Sequence, residues 1–305
     1  MTVQYEGYLF AYFKGEFSPD GEQIYFALSV GNDPLHWQEL NGGRPILFST
    51  LGEKGVRDPY IVRSPSGDGF YLIATDLRIY GNEDWSRARN AGSRSIMVLK
   101  STDLVHWSEQ TMVEIAPPEA GNAWAPEVLC GENGEFYVFW ASNMKSKSDA
   151  ADEKMYHKML VATTRDFSSF SEPAIYMDYG QSLIDTTMIQ HNGRVYRFTK
   201  GDHIFQESGD SFHDRQFKMI NNNVEEKFMV KGEGPIIFKS NSEEKWYLFI
   251  DEFGLRGYLP LETDDLDSGQ WKMPKTFKLP QVPRHGCVIP ITKAEHEHLL
   301  NYYGI

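Results

Sequence analysis

A four-part unit recurs along this chain. Each copy opens on a short apolar run that begins beside a polar residue. A hairpin turn, an aromatic strand, a third strand, an Asp-plus-aromatic turn and a short edge strand follow. The first copy reads "DPYIVRS", "FYLIATD", "SIMVLKS", "TDLVHWSEQ"; the second "APEVLC", "FYVFWAS", "MLVATT", "RDFSSFSEP". The third is "DTTMIQH", "VYRFTK", "HIFQES", "GDSFHDRQF", and the fourth "EGPIIFK", "WYLFIDE", "GYLPLE", "DLDSGQWKM". Runs of β-branched and aromatic residues bounded by Gly, Asn, Asp, Pro and Ser predict strands. A four-stranded unit repeated at roughly 40–70 residues predicts propeller blades with loop insertions.

The two ends of the chain supply the remaining pieces. "YLFAYF", "IYFALS" and "DPLHWQEL" look like strands two to four of a blade without a first strand, and "RHGCVIPI" is a strand without a blade. Pairing them closes the ring and removes its open edge. The predicted fold is therefore all-β, a five-bladed β-propeller, forming a single catalytic domain over residues 1–305. Only "TKAEHEHLLNYY" near the C-terminus carries a helical pattern.

Composition narrows the function. Thirty Lys and Arg against 43 Asp and Glu give a formal charge of −13. Nucleic acid and anionic membranes need a basic footprint, so neither is an expected partner. The two cysteines, Cys130 and Cys287, are too few for a disulfide framework and sit in apolar runs. No basic leader or long apolar stretch opens the chain, which reads as cytoplasmic.

In a propeller the first strands of the blades line the axis, and their starts meet at one face. The residues there are Asp58, Glu127, Asp185, Glu233 and His285, one titratable group per blade at about the same phase. Clustered carboxyl groups raise one another's proton affinity, so some hold a proton while others are ionised. Glycoside hydrolysis needs that division: one carboxyl group protonates the leaving oxygen and another activates water or attacks.

In order, "RDPYIV", "WAPE", "IDTTMI", "EGPIIF" and "RHGCV" resemble the motifs of glycoside hydrolase family 43, over nearly the whole chain. The resemblance implies that Asp58 is the general base, that Asp185 tunes and orients the acid, and that Glu233 is the general acid. It also implies inversion of anomeric configuration, with the carboxyl groups of Asp58 and Glu233 roughly 6.5–9.5 Å apart to admit water. Trp124 is expected to stack on a sugar ring, Glu127 to line the pocket, and Arg284 to bind sugar hydroxyls or set the ionisation of Glu233 or Asp185. His285 resembles a histidine that lies beside an axial calcium in the family, reached partly through water, so a structural calcium is an expectation; no other cofactor is required. His36 and His106, in the equivalent turns "LHW" and "VHW", read as structural. The long polar loop "RIYGNEDWSRARNAGSR" reads as a pocket wall.

The partner implied is a small oligosaccharide. A terminal pentose is the sugar expected to be released, with α-L-arabinofuranosidase first, β-xylosidase second, and an exo-galactosidase or a non-catalytic carbohydrate-binding propeller behind them. The retaining invertase-like group shares an "RDP" motif, but its "NDPNG"-like nucleophile and "EC" motifs are missing here.

Overall fold

The computed structural model describes residues 3–131, 134–145, 155–214 and 216–305. Arg215, within the fourth segment of the third repeat, lies outside the described residues. The chain packs into two compact units. One holds residues 1–14, 25–46 and 187–305; the other holds 15–24 and 47–186.

In the second of these units, β4 (Val56–Arg63), β5 (Phe70–Asp76), β6 (Ser95–Ser101) and β7 (Thr111–Glu114) form an antiparallel sheet in chain order. β8 (Trp124–Cys130), β9 (Phe136–Lys145), β10 (Met155–Thr164) and β11 (Ala174–Met177) form the next. Side chains from both sheets, among them Ile73, Val98, Val128, Phe136, Trp140 and Leu160, make one buried cluster.

The first unit carries the other sheets. β19 (Arg284–Ile291) pairs with β1 (Gly7–Phe13), followed by β2 (Tyr25–Val30) and β3 (Asp33–Glu39). The C-terminal strand thus completes the blade begun at the N-terminus, and the all-β five-bladed propeller fold is the one expected. β1 is buried along its whole length, which explains why "GYLFAYF" shows no polar alternation. β12 (Ile184–His191), β13 (Arg194–Lys200), β14 (Ile204–Gly209) and β15 (Lys218–Asn221) form a sheet whose first strand crosses the unit boundary. β16 (Glu233–Lys239), β17 (Trp246–Glu252) and β18 (Gly257–Thr263) form a sheet of three strands. In place of its expected fourth strand there is an isolated bridge, Glu262 to Lys272.

Aromatic rings fill the space between the N-terminal sheet and the β16–β18 sheet. Tyr8 meets Phe238 at 5.6 Å and 60°, and Phe10 meets Phe249 at 6.2 Å and 72°. Edge-to-face pairs of this kind add about 0.5–1.5 kcal/mol each beyond area burial.

The Asp103 segment is a turn that precedes the edge strand β7. Asp103 accepts backbone hydrogen bonds from Val105 and His106, and its other oxygen pairs with His106 Nδ1 at 2.7 Å. Asp33 and His36 repeat the pairing at 2.8 Å, but within strand β3, so His106 sits in the expected turn and His36 does not. α2 (Lys293–Tyr303) matches the helical pattern and starts with a capping box between Thr292 and Glu295. The polar loop contains a helix the periodicity did not show, α1 (Trp85–Asn90).

The β1–β19 pairing depends on a glycine. A Cβ on Gly286 would stand 2.0 Å from the Ala11 carbonyl oxygen, a backbone atom that can retreat only by opening the pair. Gly286→Ala is expected to lower stability by at least about 2 kcal/mol in urea denaturation. An unchanged midpoint would show that the strand does not pair this closely.

Candidate active site

The first strands share one backbone device. In β4, Arg57 is opposite Thr75 and Tyr60 opposite Ile73, so Asp58 and Pro59 together face Ala74. In β8, Ala125 and Pro126 fall between the Trp124–Ala141 and Glu127–Phe139 pairs. In β16, Gly234 and Pro235 fall between Glu233–Asp251 and Ile236–Phe249. Each is a bulge with two residues against one. The first residue of each bulge is left-handed, with φ of +49° at Asp58, +48° at Ala125 and +53° at Gly234. Asp185 in β12 has φ +51°.

This framework corrects the expectation that the acids share one phase. Asp58 and Asp185 occupy the left-handed position itself. Glu233 precedes it by one residue, as Arg57 and Trp124 do, and Glu127 follows it by two. A bulge turns successive side chains in new directions, so residues one apart in the motif are aimed differently.

Asp58 is held from one side by a directional chain. The Ala125 N–H donates to Thr75 Oγ1 at 2.8 Å, and the Thr75 hydroxyl donates to Asp58 Oδ2 at 2.7 Å. Thr75 is fully buried. Beside Asp58 in the chain, Arg57 lies over the Trp85 ring at 5.3 Å and pairs with Glu16 at 3.4 Å and Glu22 at 3.6 Å.

Trp124 is half-buried and braced by two rings. Trp85 of α1 meets it edge-on at 6.2 Å, and His157 of β10 stacks on it at 5.0 Å and 27°. The polar loop therefore does abut Trp124, through α1. Its Arg87 is taken up by Glu53, which it grips with two bonds of 2.7 and 2.8 Å. Glu127 is buried, and neither of its carboxyl oxygens is open to solvent.

His157 carries no motif signal in the sequence, yet it ties Trp124 to the strand that carries Asp185. Asn122 Nδ2 donates to His157 Nε2 at 3.0 Å, and Ser182 Oγ lies 3.3 Å from Nδ1. The His157 carbonyl accepts from Leu183 N at 2.9 Å, two residues before Asp185. Burial first, then the charge of Arg89, push this imidazole down to about 4.

In the other unit, Glu233 is partly exposed and accepts a bond from Arg284 Nη2 at 2.9 Å. The same guanidinium, almost fully buried, donates through Nε to Asp251 Oδ2 and lies 4.5 Å from the Phe253 ring centroid. Of the roles expected for Arg284, the contact with Glu233 is present; the bond to Asp251 has no counterpart among those expectations. Gly234 allows the close approach of β19, because a Cβ there would meet the His285 side chain at 2.9 Å. The Tyr258 hydroxyl donates to the Gly234 carbonyl at 2.7 Å.

His285 is buried. Among the described residues it belongs to no group of three or more His, Cys, Asp or Glu side chains with converging ligand atoms. Calcium prefers six to eight oxygen ligands, which this imidazole does not supply.

A family described as "Probable glycosyl hydrolase domain", related to glycoside hydrolase family 43, matches residues 3–297. An alpha-L-arabinofuranosidase of Bifidobacterium longum subsp. longum is 29% identical over 90% of this chain. The chain spans 29% of that relative's length. A thermostable family-43 glycoside hydrolase is similar in structure, with a TM-score of 0.54 over 77% of each chain at 18% identity. A GH62 hydrolase crystallised with xylotriose has a TM-score of 0.54 at 14% identity, over 78% of this chain and 75% of the other. The catalytic domain of a Coprinopsis cinerea GH62 alpha-L-arabinofuranosidase has 0.52 at 12% identity, over 76% and 72%.

The environment of His157 has a pH consequence. An unfolded histidine titrates near 6.5 and this one near 4. Between those values the unfolded chain holds the proton and the folded chain does not. The neutral ring's contribution is therefore complete above about 6.5 and is lost as pH falls towards 4. In an NMR titration, the imidazole signal absent from His157→Gln should be one that stays neutral at pH 5. Its titration near 6.5 would contradict the packing described.

Proposed function

The chain belongs to the family-43-related glycosyl hydrolase domains, and from that premise we propose that it is an inverting glycosidase that releases a terminal pentose, first of all α-L-arabinofuranose. The observation that carries the reading is the setting of Glu233. A partly exposed carboxyl group is fixed by a buried guanidinium, as directed proton transfer to a leaving group requires. The choice of sugar is supported by the arabinofuranosidase relative, and use of an oligosaccharide by the xylotriose-bound GH62 hydrolase.

Each residue has a stated part. Glu233 gives its proton to the glycosidic oxygen as the bond from that oxygen to the anomeric carbon breaks. Asp58 accepts a proton from the attacking water, whose oxygen bonds to the anomeric carbon. Asp58 Oδ2 receives the Thr75 hydroxyl, which fixes the direction of the carboxylate that is to accept the proton. Asp185 orients the acid by its correspondence to the family motif. Trp124, braced by His157 and Trp85, is the assigned platform for the apolar face of a sugar ring. The propeller as a whole is the proposed catalytic domain.

Assays with aryl α-L-arabinofuranosides, β-xylosides and β-galactosides test the choice of sugar. Turnover confined to the arabinofuranosides is expected; preference for a xyloside would move the assignment to β-xylosidase. Sugar binding without turnover of any of them would make the chain a binding module. Glu233→Ala is expected to slow poor leaving groups by roughly 10²–10⁴-fold and activated ones far less, since only the former need protonation. Asp58→Ala should abolish both, and substantial residual turnover would falsify its assignment as base.

A further inference from the structure

The pairing of β16 with β17 sets Glu233 directly opposite Asp251. Like charges in directly opposed positions repel. Arg284 reaches both, through Nη2 to Glu233 and Nε to Asp251. The three groups differ in access. Asp251 is completely buried and Arg284 nearly so, while the Glu233 side chain is 23% exposed. Asp251 Oδ1 is buried without a hydrogen-bond partner among the described residues. Burial pushes the Asp251 carboxyl up to about 6, against the charge of Arg284 and with that of Glu233. A buried pair of this kind adds little stability over well-packed apolar side chains. Packing therefore gives no reason to keep an acid at this place.

We propose that Asp251 is a positioning residue for the proton donor: it anchors Arg284 through Nε and supplies its counter-charge, leaving Glu233 able to carry a transferable proton. This rests on the reading of Glu233 as general acid. Without Asp251, more of the buried guanidinium's charge falls to the Glu233 carboxylate to balance, and an acid committed to that role is a poor donor. With Asp251 ionised, Arg284 is already balanced. After the proton has moved to the glycosidic oxygen, the Arg284 bond steadies the Glu233 carboxylate until solvent returns a proton. Further ionisable groups lie close by, among them His285 on β19, Tyr258 on β18, Lys231 before β16, and Glu252, which pairs with Arg256. His285 acts on Asp251 by its charge, Tyr258 bonds to the Gly234 carbonyl, and Lys231 lies over the Phe253 ring.

The test uses the full chain and whichever aryl glycoside it hydrolyses, in activated and poor leaving-group forms. In Asp251→Asn, the basic limb of the kcat/KM profile should move to lower pH by about half a unit or more. At pH 7, kcat on the poor leaving group should fall roughly tenfold or more, with KM and the activated substrate little changed. Asp251→Glu should return the limb towards its original place. A limb that stays put, with equal losses on both leaving groups and a lower melting temperature, would make Asp251 merely structural and overturn the proposal. If Asp251→Asn is insoluble, Asp251→Asn/Arg284→Gln removes both buried charges together, and its limb should lie no lower than that of the parent; a lower limb contradicts the proposal. Glu233→Ala distinguishes the two layers. If it leaves the leaving-group dependence intact, Glu233 is not the acid and the role given to Asp251 falls with it.

Discussion

A left-handed residue at the start of the first strand recurs in four of these sheets, at Asp58, Ala125, Asp185 and Gly234. L-residues avoid this conformation, at about 1–2 kcal/mol each, and Gly, Asn and Asp tolerate it best. Three of the four are followed by proline, which removes a donor and locks φ where the ladder is already interrupted. The bulge turns one residue out of the pleat and its neighbours in other directions. Asp58 is thereby set on the Thr75 hydroxyl, and Glu233 on Arg284. The directions of these two carboxyl groups follow from that local backbone choice.

The blades were legible because their cores are made of large residues in short runs with clear turns between them. Four of the five strand starts were legible because an acid stands out against such runs, and the fifth because His285 does. Their relative directions were not. A motif such as "RDPY" shows an acid next to a proline but not a bulge, so Glu127, Asp58 and Glu233 read as equivalent although they hold three different places. Thr75, His157 and Asp251 were hidden for another reason. Each lies on a second or third strand, in a run ("FYLIATD", "MYHKML", "WYLFIDE") whose apolar character says only that it is buried. What those polar groups do depends on partners distant in sequence: Asp58 for Thr75, Asn122 for His157, Arg284 for Asp251. The three-stranded sheet escaped for a simpler reason, since "DLDSGQWKM" carries the turn signal of the other repeats but ends in a single bridge.

Both units treat buried charge in the same way. Arg57 pairs with Glu22, whose carboxylate also accepts the backbone of Ile79 and Tyr80. Arg197 and Glu207 are opposed across β13 and β14 at 2.8 Å. Arg284 bridges two opposed acids. Removing one partner of a buried ion pair such as Arg197–Glu207 is strongly destabilising, at roughly 3–5 kcal/mol. Arginine suits these places because its planar fork serves two acceptors at once and stays charged. A chain with a formal charge of −13 spends several of its few cations inside, where they orient carboxyl groups.

The central claim is a single displacement at the anomeric carbon by water, with one carboxyl group as acid and another as base. The configuration of the first product tests it most directly. With an aryl α-L-arabinofuranoside as substrate, proton NMR in the opening minutes should show β-arabinofuranose before mutarotation. If α-arabinofuranose appears first, the displacement is double, a protein group is the nucleophile, and the roles given to Asp58 and Glu233 are wrong.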